Sequence, residues 1–161
     1  MAEKRLKIAI IGAGMIANAG HIPGWKSRDQ DVEVVGVYNR HEERARRTAA
    51  RHQIPHAYGD WEQMLAELEP DIVSVCTPNV SHKMLAIGAL EAGAHVLCEK
   101  PVAASYADAV DMFAAAERVG KILFVSQTGR FGNGAVAAKE LADSGRLGEM
   151  YYAETSAFRR R

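Results

Sequence analysis

The sequence is poor in cysteine and carries no excess of either charge. Two cysteines, Cys76 and Cys98, in 161 residues exclude a disulfide framework and a zinc site built from cysteine alone. Lysine and arginine number 20, as do aspartate and glutamate, so the zero net charge gives no reason to expect binding to nucleic acid or to an anionic membrane. The histidines show no spacing with acidic residues or cysteines that is typical of metal ligands, and no metal site is predicted.

Long apolar runs are also missing. No stretch approaches the roughly 20 residues that a membrane-spanning helix needs. The N-terminal stretch MAEKRLKIAIIGAG lacks the apolar core of a signal peptide, because its apolar residues 8–11 run directly into glycines. Together with the scarcity of cysteine, these absences predict a cytoplasmic, reducing location.

The sequence does contain apolar, strand-like runs that alternate with stretches of helical periodicity. We predict strands over 6–11, 32–38, 72–76, 94–98 and 122–125, and helices from about residue 15 and over 42–52, 61–68, 81–91 and 107–119. Continuous apolar strands that are each followed by a helix indicate a parallel sheet covered on both faces. The predicted fold class is therefore α/β, a doubly wound parallel sheet of the Rossmann type.

Turn and capping residues agree with several of these boundaries. Asn79 is placed to cap the helix after the third strand, and Gly93 to end that helix in a left-handed conformation. Ser105 followed by Asp108 resembles a capping box, and Gly120 closes the helix that they begin.

The stretch IAIIGAGMIA, residues 8–17, has the G-x-G-x-x-A form of a dinucleotide-binding loop. Gly12 permits the tight turn, Gly14 lets the backbone approach a pyrophosphate, and Ala17 keeps the helix close to the strand. The amides at the start of that helix would receive the phosphates, which makes Ala13, Met15 and Ile16 further candidates for cofactor binding. The alternative is a glycine turn without a ligand, but the position between a strand and a helix favours the cofactor.

The end of the second strand bears on the choice between NAD and NADP. An NAD-selective site places Asp or Glu here, whereas this chain has Asn39 followed by Arg40. Asn39 does not repel a 2′-phosphate, and Arg40 can bind one. For Arg44, binding the cofactor and a solvated position at the start of the helix are equal alternatives. Glu42 could instead reach round and supply the missing carboxylate. We therefore expect NAD or NADP, with a slight preference for NADP.

The last third of the chain follows a different pattern. Gly132-Asn133-Gly134 interrupts the chain, 135–143 is helical by pattern, and MYYAETSAF at 150–158 alternates like a strand of an antiparallel sheet. The three final arginines fit a solvated tail equally well. We expect residues 1–128 to form a dinucleotide-binding domain and 129–161 to form a connecting helix and the first strand of a truncated second domain. The chain would then be the N-terminal part of a longer protein.

Five separated motifs resemble those of the glucose–fructose oxidoreductase / inositol dehydrogenase family of NAD(P)-dependent sugar oxidoreductases. In chain order they are the loop Gly12–Ala17, His21 with Pro23, Thr77-Pro78-Asn79 with His82, Glu99-Lys100-Pro101, and GRLGEMYYAE at 145–154. The resemblance extends over essentially the whole chain.

This resemblance implies a function and a catalytic residue. Lys100 would face the nicotinamide and the reacting carbinol of a sugar or polyol, and stabilise the developing alkoxide as hydride leaves. Glu99 would hold Lys100 or contact the nicotinamide ribose, and the Lys100–Pro101 bond would be cis. The family's second catalytic residue and its homo-oligomer interface belong to a later domain, so this fragment alone is expected to be inactive.

Other residues of the resemblance have more than one interpretation. The loop Cys76–Asn79 would line the cofactor, although it would also serve as a helix cap, and both cysteines are expected to be small buried hydrophobes. For His82, facing the cofactor and lying on the helix surface are equal alternatives. For Gln127, the equal alternatives are a contact with the site and a structural pairing. His21 and Pro23 are expected to shape the first helix more than to touch substrate.

Two other functions compete with an oxidoreductase. One is a regulatory or sensor protein that binds NAD(P) without redox chemistry, but Lys100 argues against it, because a sensor needs the phosphate loop and not the lysine. The other is a stand-alone nucleotide-binding module.

Overall fold

The computed structural model of the chain describes residues 4–156 and 158. Within this part, the strands form one six-stranded parallel sheet in the order β3-β2-β1-β4-β5-β6. The strands are β1 (Leu6–Ile11), β2 (Val32–Tyr38), β3 (His56–Tyr58), β4 (Ile72–Val75), β5 (His95–Glu99) and β6 (Leu123–Ser126). The order reverses at β1, as it does in the predicted doubly wound Rossmann fold, so the prediction of fold class is confirmed.

Helical segments connect consecutive strands. They are a π-helical turn (Ala17–His21), α1 (Ile22–Lys26), α2 (Glu42–His52), α3 (Trp61–Leu68), a 3₁₀ turn (Asn79–Ser81), α4 (His82–Glu91), α5 (Tyr106–Val119), a second 3₁₀ turn (Thr128–Phe131) and α6 (Asn133–Asp143). Ser105 caps α5 by accepting a hydrogen bond from the Asp108 N–H, as predicted, and Gly93 has the expected positive φ.

The core lies on both faces of the sheet, which explains why the central strands are apolar throughout. In β1, Ile8 and Ile10 pack on one side with Ala45 and Ala49 of α2, whereas Ala9 and Ile11 pack on the other. All four β1 residues are fully buried. Burying one such isoleucine contributes about 1.5–3 kcal/mol, so the strand that carries the glycine loop is among the most firmly held elements.

Two local features differ from the sequence-based expectations. The edge strand β3 was not predicted, because its three residues carry no apolar run and its assignment depends on pairing with β2, from Gly36 opposite His56 to Tyr38 opposite Tyr58. Asn79 does not cap α4, since it begins a 3₁₀ turn and makes no capping hydrogen bond.

The segment after the glycine loop is a π-helical turn and not the start of a regular α-helix. Helical backbone begins at Met15, widens over Ala17–His21 and becomes α-helical at Ile22. Pro23 explains the change, because a proline ring clashes with the carbonyl four residues earlier and offers no N–H to it. The wider turn determines where the side chain of His21 lies.

The chain divides into two compact units, Met1–Ser126 and Gln127–Arg161. In the second unit, the described residues 150–156 form no strand. A strand requires a hydrogen-bonded neighbour, and the described part of this unit supplies none, so the strand over MYYAETSAF stays a prediction. Residues 157 and 159–161 lie outside the described part.

Candidate functional site

Three loops follow the carboxyl ends of neighbouring strands and lie side by side. We call the side of the sheet that these carboxyl ends form its edge. The ends of β1, β4 and β5 are in register, with Ile11 opposite Val75 and Val75 opposite Cys98. Because neighbouring strands are about 4.8 Å apart, the loop after β5 begins roughly 10 Å from the loop after β1. Ligands bind at this edge in doubly wound sheets.

The two glycines of the first loop have different reasons to be glycine. Gly12 has a φ of 110°, and a Cβ at this position would lie 2.8 Å from the carbonyl oxygen of Cys76, so the protein's own backbone requires glycine. A Cβ at Gly14 would meet no protein atom within 4 Å. Packing within the protein therefore does not require glycine at position 14, whereas a ligand that approaches the backbone would require it.

Asn18, which the sequence analysis did not single out, braces the glycine loop. Its side-chain amide donates to the carbonyls of Gly14 (2.8 Å) and Ala13 (3.2 Å). Its Oδ1 lies 3.0 Å from Nε2 of His52 in α2. Burial, with help from neighbouring cations, lowers the pKa of His52, which favours a neutral ring that donates to Asn18. The pattern of the sequence offers no signal for this role beyond a polar residue one turn after the loop.

A cleft of about 440 Å³ lies beside the glycine loop. Its walls come from that loop, the end of β2, the loop after β4 and the start of α4. The cofactor-binding candidates among its lining residues are Gly12, Ala13, Gly14, Asn39, Arg40, Cys76, Thr77 and Pro78. The structure thus brings together eight predicted residues from three separate motifs.

The end of β2 presents donors to this cleft. The Oδ1 atom of Asn39 accepts a hydrogen bond from the backbone N–H of His41 (3.0 Å), which leaves the amide N–H groups of Asn39 available. Glu42 is engaged elsewhere, since its Oε1 accepts from Nη2 (2.7 Å) and Nε (3.0 Å) of Arg46. The alternative that Glu42 supplies the missing carboxylate is therefore not supported. Arg40 is exposed, and Arg44 also lines the cleft.

A second cavity of about 560 Å³ also borders the glycine loop and shares Ala13, Gly14 and Arg44 with the first cleft. It is lined by Met15, Asn18 and three arginines of α2, Arg44, Arg47 and Arg51. Met15 is 84% exposed, and Ile16 beside it is 41% exposed. These two candidates therefore lie at the outer rim of the loop and outside the first cleft.

The loop after β5 begins with a buried carboxylate. Glu99 is 8% exposed, and its Oε2 accepts the backbone N–H of Lys100 (3.1 Å) while its Oε1 lies 3.1 Å from Nε2 of His21. Burial alone would raise the pKa of Glu99, but hydrogen bonds from His21, Ser126 and the Lys100 N–H outweigh it and hold the pKa below its usual value. His21 thus has a polar partner in addition to the helix-shaping role expected of it.

Lys100 is exposed, and its bond to Pro101 is cis, as the resemblance implied. Within the described part of the chain, its ammonium group has no hydrogen-bond or ion-pair partner. Glu99 therefore holds the backbone of Lys100 and not its side chain. Neither residue lines the first cleft. Both lie at the carboxyl end of β5, next to β4, and the loop after β4 forms one wall of that cleft.

His82 is buried behind the loops, 1% exposed, and neither of the two expected positions describes it. Its Nε2 lies 2.8 Å from the carbonyl oxygen of Thr77, and its Nδ1 lies 3.0 Å and 3.2 Å from the carbonyl oxygens of Pro101 and Val102. The ring lies between the loop after β4 and the loop after β5, and does not face the cleft. Its partners are all acceptors, so a neutral ring donates to one loop and a doubly protonated ring to both. Sequence reasoning missed this because the partners are backbone atoms.

The cysteines are buried free thiols. Burial raises the pKa of Cys98 to about 12 and that of Cys76 further still, so both remain protonated and act as small hydrophobes at neutral pH. Within residues 4–156 and 158, no three histidine, cysteine or acidic side chains are close enough to hold a metal ion. No helix in the same residues is long and apolar enough to cross a membrane.

The two remaining candidates are Asn79 and Gln127. Asn79 begins the 3₁₀ turn and is not among the lining residues, whereas its neighbours Pro78 and Val80 are. Gln127 is the first residue of the second unit, so its contact with the site stays a prediction.

Comparison with known proteins identifies the family. Residues 6–127 match the oxidoreductase family with an NAD-binding Rossmann fold that is named for glucose–fructose oxidoreductase, inositol dehydrogenase and MocA. The chain is 36% identical over 160 residues to the D-glucoside 3-dehydrogenase of Escherichia coli (strain K12), and the match covers 99% of this chain and 45% of that protein. The chain therefore belongs to this family.

Two further relatives agree. The scyllo-inositol 2-dehydrogenase (NADP(+)) IolU of Bacillus subtilis (strain 168) is 38% identical over 94 residues, which are 58% of this chain and 29% of that protein. The WlbA dehydrogenase from Bordetella pertussis, solved in complex with NADH and UDP-GlcNAcA, has a TM-score of 0.87 at 26% identity and covers 92% of this chain and 45% of its own. The chain thus spans less than half the length of these relatives.

The buried carboxylate makes a prediction about pH. Because its pKa is lowered in the folded protein, the stabilisation from Glu99 should be fully present above the ordinary carboxyl value of 4.5 and lost as the pH falls through the lower folded value. Glu99→Gln should reduce the free energy of unfolding by about 1–3 kcal/mol at pH 7 and by less near pH 3. Urea unfolding at several pH values measures this difference.

Glu91→Gln provides the control. Glu91 pairs with Arg118 on the surface, and exposed pairs of this kind contribute about 0–1 kcal/mol. A Glu99→Gln difference that stays constant between pH 7 and pH 3 would contradict the assignment of a lowered pKa.

Proposed function

We propose that this chain is the nucleotide-binding part of an NAD(P)-dependent oxidoreductase that oxidises a hydroxyl group of a sugar, polyol or related compound by hydride transfer. One observation carries the proposal. The glycine loop and Lys100 lie at the same edge of the sheet, and Gly14 is free of any packing need to be glycine. Two relatives whose names specify a glucoside and an inositol as substrates support the substrate class.

The residues present fit a dinucleotide. The backbone amides that follow Gly14 at the start of the helix are suited to the pyrophosphate, and the 440 Å³ cleft between Asn39 and Pro78 is suited to the adenosine half. The nicotinamide half would continue past Thr77 toward Glu99 and Lys100, the next loop along the edge. When bound, the cofactor would supply the hydride acceptor.

The end of β2 favours NADP. Asn39 has its oxygen committed to the His41 N–H, so it offers N–H donors, which suit phosphate oxygens and suit a ribose hydroxyl less well. Arg40 adds an exposed cation, and Oε1 of Glu42 is paired with Arg46. The N–H donors of Asn39 and the cation of Arg40 suit a 2′-phosphate.

Lys100 is the proposed catalytic residue. Its ammonium group has no ion-pair partner among the described residues, so it is available to donate a hydrogen bond to the substrate oxygen. In this position the cation lowers the pKa of the alcohol and stabilises the alkoxide that develops as the hydride leaves. Glu99 contributes by holding the Lys100 N–H.

The rest of the catalytic machinery would belong to the remainder of a longer protein. The chain covers 45% of its E. coli relative. A second catalytic residue, the specificity pocket and a homo-oligomer interface would lie in the domain that residues 129–161 begin, and residues 1–128 would bind the cofactor. The chain by itself should bind cofactor without turnover.

Gly14→Ala tests cofactor binding. The variant should keep its free energy of unfolding within about 1 kcal/mol, because the added methyl meets no protein atom, yet it should lose at least about tenfold in NADP affinity through a clash with the pyrophosphate. Calorimetric titration with NADP and with NAD measures the affinities, and urea unfolding measures the stability.

Gly12→Ala is the matched variant. It should lose about 2 kcal/mol or more of stability, because its methyl meets the Cys76 carbonyl and its φ is positive. If the native chain binds neither cofactor, the proposed function is wrong.

Arg40→Ala tests the preference for NADP. Removing a cation beside the 2′-phosphate should weaken NADP binding by about ten- to a hundredfold and leave NAD binding within about twofold. Arg28→Ala is the control, since Arg28 pairs with Asp31 directly before β2, at the amino ends of the strands. Equal losses for NADP and NAD would refute a 2′-phosphate role for Arg40.

Lys100→Ala tests catalysis in the full-length protein. With a panel of sugars and polyols as substrates, kcat should fall by about a hundredfold or more while cofactor affinity stays near that of the wild type. Lys121→Ala, before β6 at the opposite edge, should turn over normally. Retained turnover in Lys100→Ala would mean that another residue performs this role.

A further inference from the structure

We propose that two histidines with buried side chains, His21 and His82, hold the backbone on both sides of Lys100 and thereby position its side chain. This inference rests on the proposed function only because it takes Lys100 as the catalytic group. The loop 99–102 carries Lys100 between a buried carboxylate and a cis proline. Lys100 itself is exposed, so its own side chain does not anchor the loop.

His82 holds the far side of the loop. Its Nδ1 faces the carbonyl oxygens of Pro101 and Val102, and its Nε2 faces the Thr77 carbonyl from the opposite side of the ring. The ring lies between the two loops with one nitrogen facing each. Because carbonyl oxygens only accept, a neutral ring donates to one of the loops, and a ring protonated on both nitrogens donates to both. An apolar side chain of similar size would remove the ring's N–H donor from these carbonyls, of which, among the described residues, only that of Val102 has a second partner, the Cys98 thiol.

His21 holds the near side of the loop. It contacts Oε1 of Glu99, and the other oxygen of that carboxylate accepts the Lys100 N–H. Both side chains are largely buried, at 7% and 11% exposed, so the contact is shielded from water. His21 therefore acts on Lys100 through a single intermediate residue.

The two histidines come from the two loops that would hold the dinucleotide. His21 ends the π-helical turn that follows Gly14, and His82 binds the carbonyl of Thr77, a residue that lines the cleft. The position of Lys100 is thereby tied to both the pyrophosphate loop and the loop after β4. We infer that the histidines are positioning residues, which keep the lysine aligned with the nicotinamide half of a cofactor.

Amide hydrogen exchange in the 161-residue chain tests this directly. In His82→Leu and in His21→Leu, the Lys100 amide should exchange on the order of tenfold faster relative to the Ile10 amide in the centre of β1. His82→Gln and His21→Gln, which keep polar groups, should recover part of that loss. If Lys100 and Ile10 accelerate in equal proportion, the histidines only stabilise the fold and the inference is wrong.

His95→Leu is the matched control. His95 accepts the Ile122 N–H at the beginning of β5, so this variant also removes a histidine–backbone hydrogen bond, but at the opposite edge. The Lys100 amide should then exchange at the wild-type rate relative to Ile10. If either leucine variant does not fold, the glutamine variants give the same comparison, and wild-type exchange in both would overturn the inference.

A kinetic measurement on the full-length protein separates positioning from general damage. In the histidine variants kcat should fall about tenfold, while the affinities for NADP and for 2′,5′-ADP, which lacks the nicotinamide, stay within about twofold of wild type. An unchanged kcat, or equal losses of affinity for both ligands, would contradict the inference. If the wild-type chain binds neither ligand, the proposed function fails, and the exchange rates still decide whether the histidines hold the loop.

Discussion

The close approach of the glycine turn to the end of β4 is the contact on which the site depends. Gly12 lies against the Cys76 carbonyl at a distance that no larger residue permits, and this fixes the spacing between the first two loops of the edge. The Cys76 N–H donates to the Ile11 carbonyl at 2.8 Å, so the two backbones are joined where their strands end. From this contact the cleft opens toward β2, and the loop after β5 lies on the other side of β4.

Buried polar groups carry the arrangement outward from that contact. Asn18 holds the carbonyls of the glycine loop, Glu99 holds the backbone of Lys100, and His82 lies between two loops with its ring nitrogens facing their carbonyls. Within the described residues, every buried side-chain nitrogen and oxygen has a partner. A fully satisfied network at the edge of a rigid sheet gives its loops fixed positions, which hydrogen bonds to water would not.

The sequence was sufficient for the fold and for the loops, because both depend on local patterns. Apolar strands and the spacing of Gly12, Gly14 and Ala17 are visible without coordinates. Together with the end of the second strand and the family resemblance, they led to eight residues that the structure brings into one cleft. The features that the sequence did not reveal depend on partners that are distant in the chain. The strand β3 exists by pairing with β2, and His82 lies against backbone carbonyls, which carry no side-chain signature in a sequence.

The π-helical turn fixes the number of residues between the glycine loop and Pro23. A regular α-helix advances about 100° per residue, so losing one residue from 17–21 would convert the wide turn to a normal one and rotate the preceding segment by that angle. His21 would then be separated either from Glu99 or from its place behind the phosphate loop. Insertions and deletions should therefore be tolerated far less in this short segment than in the exposed turn 27–31 that follows α1.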